Sequence, residues 1–229
     1  MTFNALREFI AATDLRQFGL KRDDVICTAI PNGPEAAVCF WAFMNQCVFA
    51  PLNPALTVAE IEFELYDLPA AAMITLAGDS KAATVNECCR QHKVPVITMT
   101  ASGSLLGRFT LTGKVVPTPP AITTTTPSDL ALVLHTSGTT KKPKIVPLTH
   151  GNIGNGIQFV AQTLRRQPEH VCLNVMPLFH IHGLIANVGA SIYSGAQVIC
   201  SAFMGGSDFI QKLRDPLEVD KAGYPAPTW

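Results

Sequence analysis

The chain has 229 residues, of which 48% are hydrophobic and only 15% charged, with Lys plus Arg equal to Asp plus Glu at 17 each. Zero net charge supplies no field that would gather a polynucleotide or an anionic membrane, so a small-molecule partner is expected and nucleic acid is not. A charged share well below the roughly 25% of an average soluble domain points to a deeply buried α/β sheet, or to faces that pack on further protein.

The N-terminal stretch MTFNALREFIAATDLRQFGL carries Arg7, Glu8, Asp14 and Arg16. It therefore lacks the basic start and unbroken apolar run of a secretory signal. Its apolar residues recur at helical spacing and Gly19 is a plausible stop, so a helix is predicted before a buried strand in DDVICTAI. Residues 33–46 read as a second, apolar helix and VFAPL as a short strand; the apolar stretch 36–52 is broken by Asn45, Gln46 and Pro51 and is too short to span a bilayer. TVAEIEFELYDL reads as a third helix, with Thr57 and Glu60 at capping-box spacing. AAMITL, a helix over 81–91 holding the vicinal Cys88 and Cys89, and VPVITM continue the rhythm of a parallel sheet wrapped by helices. Seven cysteines without C-x-x-C spacing give no disulfide framework and no zinc pattern. A cytoplasmic or organelle-matrix location, the peroxisome included, is the expectation.

The rhythm fails over 101–127, where VVPTPPAITTTTPSD is rich in Pro and Thr and reads as an extended surface connector. DLALVLH is then a buried strand, followed directly by the loop HTSGTTKKPKIVPLTH. Residues 149–167 read as a helix with Thr149 near its N-cap, VCLNVM as a strand, PLFHIHGLIANVGASIYSG as loop plus helix, AQVICSA as a strand, and 207–214 as a last helix. No internal repeat stands out.

A strand that ends in Ser, Thr and Gly offers backbone N–H groups and hydroxyls to an anion without bulky obstruction. Gly138 allows close approach, Thr136, Ser137, Thr139 and Thr140 supply hydroxyls, and Lys144 supplies a point charge. The order of a Walker loop is absent and no G-x-G-x-x-G follows a strand. On composition alone a merely soluble loop is the favoured reading of the same residues.

TSGTTKKPK resembles the signature loop of the acyl-adenylate-forming (AMP-dependent synthetase/ligase) superfamily, usually [ST]-S-G-[ST]-T-G-x-P-K-G. The likeness extends to LKRDDVICTAIPNGPEAAVCFWAFMNQCVFAPLNPALTVAEIEFEL, to Thr149, His150 and Asn152 at a helix start, and to MPLFHIHGL. His135, VPLTH and MPLFHIHGL look most similar to acyl-CoA synthetases of the oxalate–CoA and 4-coumarate–CoA ligase kind.

The resemblance implies an α/β fold of layered parallel-sheet subdomains with flanking helices. It implies a partial adenylation domain over 1–229: a first βα layer over 1–100, the connector 101–127, and a phosphate-loop and acyl-pocket region over 128–229. It further implies that a carboxylic acid is activated to acyl-AMP with ATP and Mg²⁺ and passed to coenzyme A. Thr136, Ser137, Gly138, Thr139, Thr140 and Lys144 would hold the ATP phosphates. His180 would orient the carboxylate, with His182 and Gly183 lining the acyl site and Ala186 and Asn187 one turn on.

Lys141 and Ile145 depart from the family's glycines. A left-handed backbone at Lys141 would cost roughly 1–2 kcal/mol, so a negative φ is predicted there. Before the resemblance is considered, His180 and His182 also read as an H-x-H metal pair or as structural core histidines; no acidic or thiol partner has ligand spacing nearby, which favours the structural reading of those two. No G-x-S-x-G elbow or S-x-x-K at Ser137 supports a hydrolase.

The superfamily's Tyr-Gly-x-Thr-Glu segment for Mg²⁺, its ribose-binding Asp, its hinge and its C-terminal lid are not in this sequence, so the chain reads as the N-terminal portion of such a ligase. A portion of this kind is expected to be inactive by itself. The alternative is a non-catalytic nucleotide-binding or interaction module.

Overall fold

The computed structural model describes residues 1–118, 125–136 and 143–201. Helix α1, Phe3–Ala12, starts on the Thr2 hydroxyl, which accepts from the Ala5 N–H. The chain then passes through a 3-10 turn, Arg16–Phe18, that closes on Gly19 at φ 82°, a left-handed position suited to glycine. Strand β1 (Val25–Ala29), helix α2 (Pro34–Met44), strand β2 (Val48–Pro51), helix α3 (Val58–Asp67), strand β3 (Ala70–Leu76), helix α4 (Ala82–Gln91) and strand β4 (Val96–Ala101) alternate as the apolar pattern predicts. Pro34 sits in the first turn of α2, where its missing N–H costs nothing. The Thr57–Glu60 capping box of α3 is present in full.

Two strands lie where the sequence reading has none. Within the stretch read as a surface connector, β5 (Phe109–Thr112) pairs antiparallel with β4 and forms one edge of the sheet. At the other edge β7 (Lys144–Thr149) is the second, and it pairs antiparallel, as a hairpin, with β6 (Leu130–Thr136), the strand expected in DLALVLH. Pro147 lies within β7 and is tolerated because an edge strand has one side without a ladder.

The sheet order is β5-β4-β3-β1-β2-β6-β7, with β1, β2, β3, β4 and β6 parallel. Alternation along the strands divides the core in two. Ile26, Phe49, Ile74, Leu132 and Leu134 face α2 and the helices that follow β7. Cys27, Val48, Ala50, Met73 and Val133 face α3 and α4, against Ile61, Leu65, Val85 and Cys89. All seven cysteines are free thiols, and Cys88 and Cys89 are buried in α4.

After β7, helix α5 (His150–Thr163) is capped by Thr149, whose hydroxyl accepts from the Asn152 N–H while the Asn152 side chain accepts from Thr149. Strands β8 (Val171–Asn174) and β9 (Gln197–Cys200) form a separate parallel pair. Between them a π-helical stretch, His182–Gly189, runs into the short helix α6, Ala190–Tyr193. The helix expected over 207–214 and the backbone angle expected at Lys141 lie outside the described residues. Among the described residues no helix is long and apolar enough to cross a membrane.

Candidate functional site

β6 runs parallel to β2 and ends at Thr136, so the loop that follows leaves the carboxyl edge of the parallel strands. Ligands of open α/β sheets bind at that edge, near the point where the strand order reverses. Here the order reverses at β1, which has β2 on one side and β3 on the other.

The strands on either side of the loop, β6 and β7, are the two arms of a hairpin. Thr136 pairs with Lys144 and His135 with Ile145, and the Lys144 N–H donates to the Thr136 hydroxyl at 3.3 Å. Residues facing each other across an antiparallel pair share a sheet face, so the Thr136 and Lys144 side chains lie on the same side as Leu132 and Leu134. Both residues are exposed. Ile145, where the family pattern has glycine, is an ordinary strand residue of β7. Ser137, Gly138, Thr139 and Thr140 lie outside the described residues.

The second motif reaches the same edge from the other direction. Leu178 and Phe179 line a small crevice with Thr28, Ile30, Pro51 and Leu52, at the carboxyl ends of β1 and β2. Asn32, just after β1, fixes this segment: its amide donates to the Met176 carbonyl at 2.9 Å and accepts from the Leu178 N–H at 2.8 Å. Leu178 and Leu184, on either side of His180 to Gly183, are buried in the core on the Thr136 face. The Thr136–Lys144 stem and the His180 segment therefore share one face and one edge of the sheet.

His180 and His182 are exposed, and the His182 N–H donates to His180 Nδ1 at 3.2 Å. Gly183 is buried, and a Cβ there would lie 2.3 Å from the Pro177 carbonyl oxygen, so the turn into the π-helix admits only glycine. Asn187 is buried, and its amide donates to Asn174 Oδ1 at 2.8 Å. Asn174 in turn donates to the Met176 carbonyl, while the Asn187 carbonyl accepts from Ser191, whose hydroxyl accepts from Arg166. Asn187 thus serves the scaffold beneath the segment.

The reading of the residues missed one group of side chains. His135, the residue before Thr136, sits between Glu64 and Asp67 of α3: Nδ1 contacts Glu64 Oε2, and Nε2 lies 3.0 Å from Asp67 Oδ2. The His135 and Glu64 side chains are each 9% exposed. Burial opposes the imidazolium, but the hydrogen bonds to Glu64 and then Asp67 outweigh it and raise the His135 pKa above its ordinary value. The available signal was two carboxylates in the last turn of α3, where the helix dipole disfavours negative charge and a cation must come from elsewhere.

Among the described residues no group of three or more His, Cys, Asp or Glu could hold a metal ion. The donors present here do not fit a Mg²⁺ site. A larger apolar cleft of about 630 Å³, lined by Phe3, Trp41, Leu106, Val188 and Ile199 among others, includes neither Thr136 and Lys144 nor His180, His182 and Gly183.

Comparison with known proteins gives the family and the fold. The chain is 34% identical over 213 residues to "Probable CoA ligase CCL9" of Humulus lupulus, covering 88% of this chain and 39% of that protein. It is 33% identical over 188 residues to "Oxalate--CoA ligase" of Arabidopsis thaliana, covering 80% of this chain and 36% of that one. The chain thus spans less than half the length of these relatives. Apo MatB from Rhodopseudomonas palustris has the same fold, with a TM-score of 0.72 at 21% identity over 91% of this chain and 41% of that one. Residues 2–213 match the family model described as AMP-binding enzyme, and the chain belongs to that family.

Proposed function

We propose that the chain supplies the phosphate-binding and acyl-side part of an ATP-dependent carboxylic acid–CoA ligase. One observation carries the reading: the Thr136–Lys144 hairpin stem and the His180 segment lie on one face at the carboxyl edge of the parallel strands. A carboxylate and a polyphosphate must meet for an acyl-adenylate to form, and the reaction needs donors for both anions on one side of the sheet.

Thr136, Ser137, Gly138, Thr139, Thr140 and Lys144 hold the β- and γ-phosphates, and Lys144 carries the charge that offsets the departing pyrophosphate. His180 donates to the carboxylate and orients it toward the α-phosphorus, while His182 and Gly183 line the acyl side. A carboxylate oxygen displaces pyrophosphate from ATP to give acyl-AMP, and the thiol of coenzyme A then displaces AMP. Two relatives over 30% identical are named as CoA ligases, which supports this class of reaction.

The test is carboxylate-dependent ATP–pyrophosphate exchange by the gene product that contains this chain, run against short aliphatic, aromatic and dicarboxylic acids. Exchange with at least one acid is expected, and Lys144→Ala should lower it by about a hundredfold. Absence of exchange with every acid overturns the reading.

A further inference from the structure

We infer that His135, clamped between Glu64 and Asp67, is a positioning residue that ties α3 to the stem of the 136–144 hairpin and thereby sets affinity for the ATP phosphates. The inference rests on the reading of that hairpin as the phosphate loop.

The geometry leaves the imidazole little freedom. Both ring nitrogens are engaged, Nδ1 by Glu64 and Nε2 by Asp67, and a ring with two acceptors at its two nitrogens satisfies both only as the imidazolium. Glu64 and Asp67 lie one helical turn apart in the last turn of α3. Two carboxylates there face the negative end of the helix dipole, and the imidazolium is the cation that the structure brings to them.

The groups around the ring leave this assignment uncontested. From β7, Ile145 stands opposite His135 and Lys144 follows in the next pair. From β1, buried Cys27 faces Glu64, and burial pushes its thiol pKa well up, so it stays neutral. β2 brings Val48, Phe49, Ala50 and Pro51, none of which titrates. On α3 the Phe63 ring lies 6.3 Å from the imidazole.

His135 and Thr136 are consecutive, and their side chains point to opposite faces of β6. Fixing the ring against α3 therefore fixes the direction in which the Thr136 hydroxyl and its partner Lys144 project on the other face. His135 touches no phosphate in this arrangement; it acts through the strand.

The sign of the pH effect follows from the raised pKa. The clamp is fully formed below the ordinary imidazole pKa of 6.5 and loosens as pH rises through the folded-state value. Apparent affinity for ATP should fall along that alkaline limb.

The experiment uses ATP–pyrophosphate exchange by the same gene product, with KM for ATP and for the carboxylate measured across pH, and an NMR titration of the His135 ring. Asp67→Asn, which leaves Glu64 in place, should move the alkaline limb of KM for ATP and the ring titration together to lower pH. His135→Gln should raise KM for ATP about tenfold with KM for the carboxylate unchanged, and remove the limb. Equal rises in both KM values, a limb that stays in place in Asp67→Asn, or a ring that titrates at or below its ordinary value overturns the inference. Wild-type protein without exchange overturns the phosphate-loop reading itself, and this inference with it.

Discussion

The two halves of the site edge are held by different kinds of polar contact. The hairpin stem is tied down by charge, His135 between two carboxylates with the ring and Glu64 nearly buried. The His180 segment is tied down by neutral amides, Asn32 just after β1 and the buried Asn174–Asn187 pair beneath it, with Gly183 in a turn that admits no side chain. A neutral amide holds the same geometry at every pH, whereas an imidazolium holds it only while protonated. One half of the edge can therefore respond to pH while the other stays fixed.

The largest effect is expected at the fixed half. Gly183→Ala puts a methyl group 2.3 Å from the Pro177 carbonyl oxygen, a backbone atom that cannot swing aside. The turn before the π-helix must open, and the loss should be about 3 kcal/mol, read as a lowered urea midpoint of the chain. An unchanged midpoint would show that the segment tolerates another path, and the contrast between a rigid and a responsive half would fail.

Asn32→Ala sharpens the contrast. It removes one acceptor from the Leu178 N–H and one donor from the Met176 carbonyl, for about 2 kcal/mol in all. That loss should be the same on both sides of neutrality. The contribution of His135 should behave otherwise: with a raised folded-state pKa it is complete below 6.5 and disappears as pH rises through that folded value. Urea unfolding of wild type, Asn32→Ala and His135→Gln at several pH values separates the two. A pH-dependent Asn32→Ala loss, or a pH-independent His135→Gln loss, breaks the comparison.

Much of the frame was legible because it rests on local periodicity: β1 to β4 and α2 to α4 follow the apolar pattern, and the Thr57 cap is a spacing of three. The two edge strands were not. β5 is four residues long, so its alternation of Phe109 and Leu111 with two threonines is too short to register as a period, and β7 carries an exposed Lys144 and Ile145 and an internal Pro147 and shows no buried face. Both motifs of the candidate site were visible as words, but their meeting on one face is a product of strand order. The His135 clamp joins residues 68 apart in sequence, and nothing short of the fold brings them together.

The smallest effect tests the glycines of α5, where one helix holds glycines in opposite circumstances. At Gly151 a Cβ would come within 2.9 Å of the Pro127 carbonyl oxygen, so glycine lets the helix start pass close to the end of the connector. At Gly154 an added Cβ would meet nothing within 4 Å beyond the helix's own backbone, and the position is exposed, so its freedom serves no contact. Gly154→Ala should stabilise the chain by about 0.5–1 kcal/mol, because alanine loses less backbone entropy in a helix and adds no clash. Gly151→Ala should do the reverse. Because α5 starts directly after β7, a stiffer helix also tests what sets the hairpin stem: with His135 as the anchor, Gly154→Ala raises the urea midpoint and leaves the alkaline limb of KM for ATP where it was. A limb that moves with Gly154→Ala would assign the stem to α5 rather than to α3.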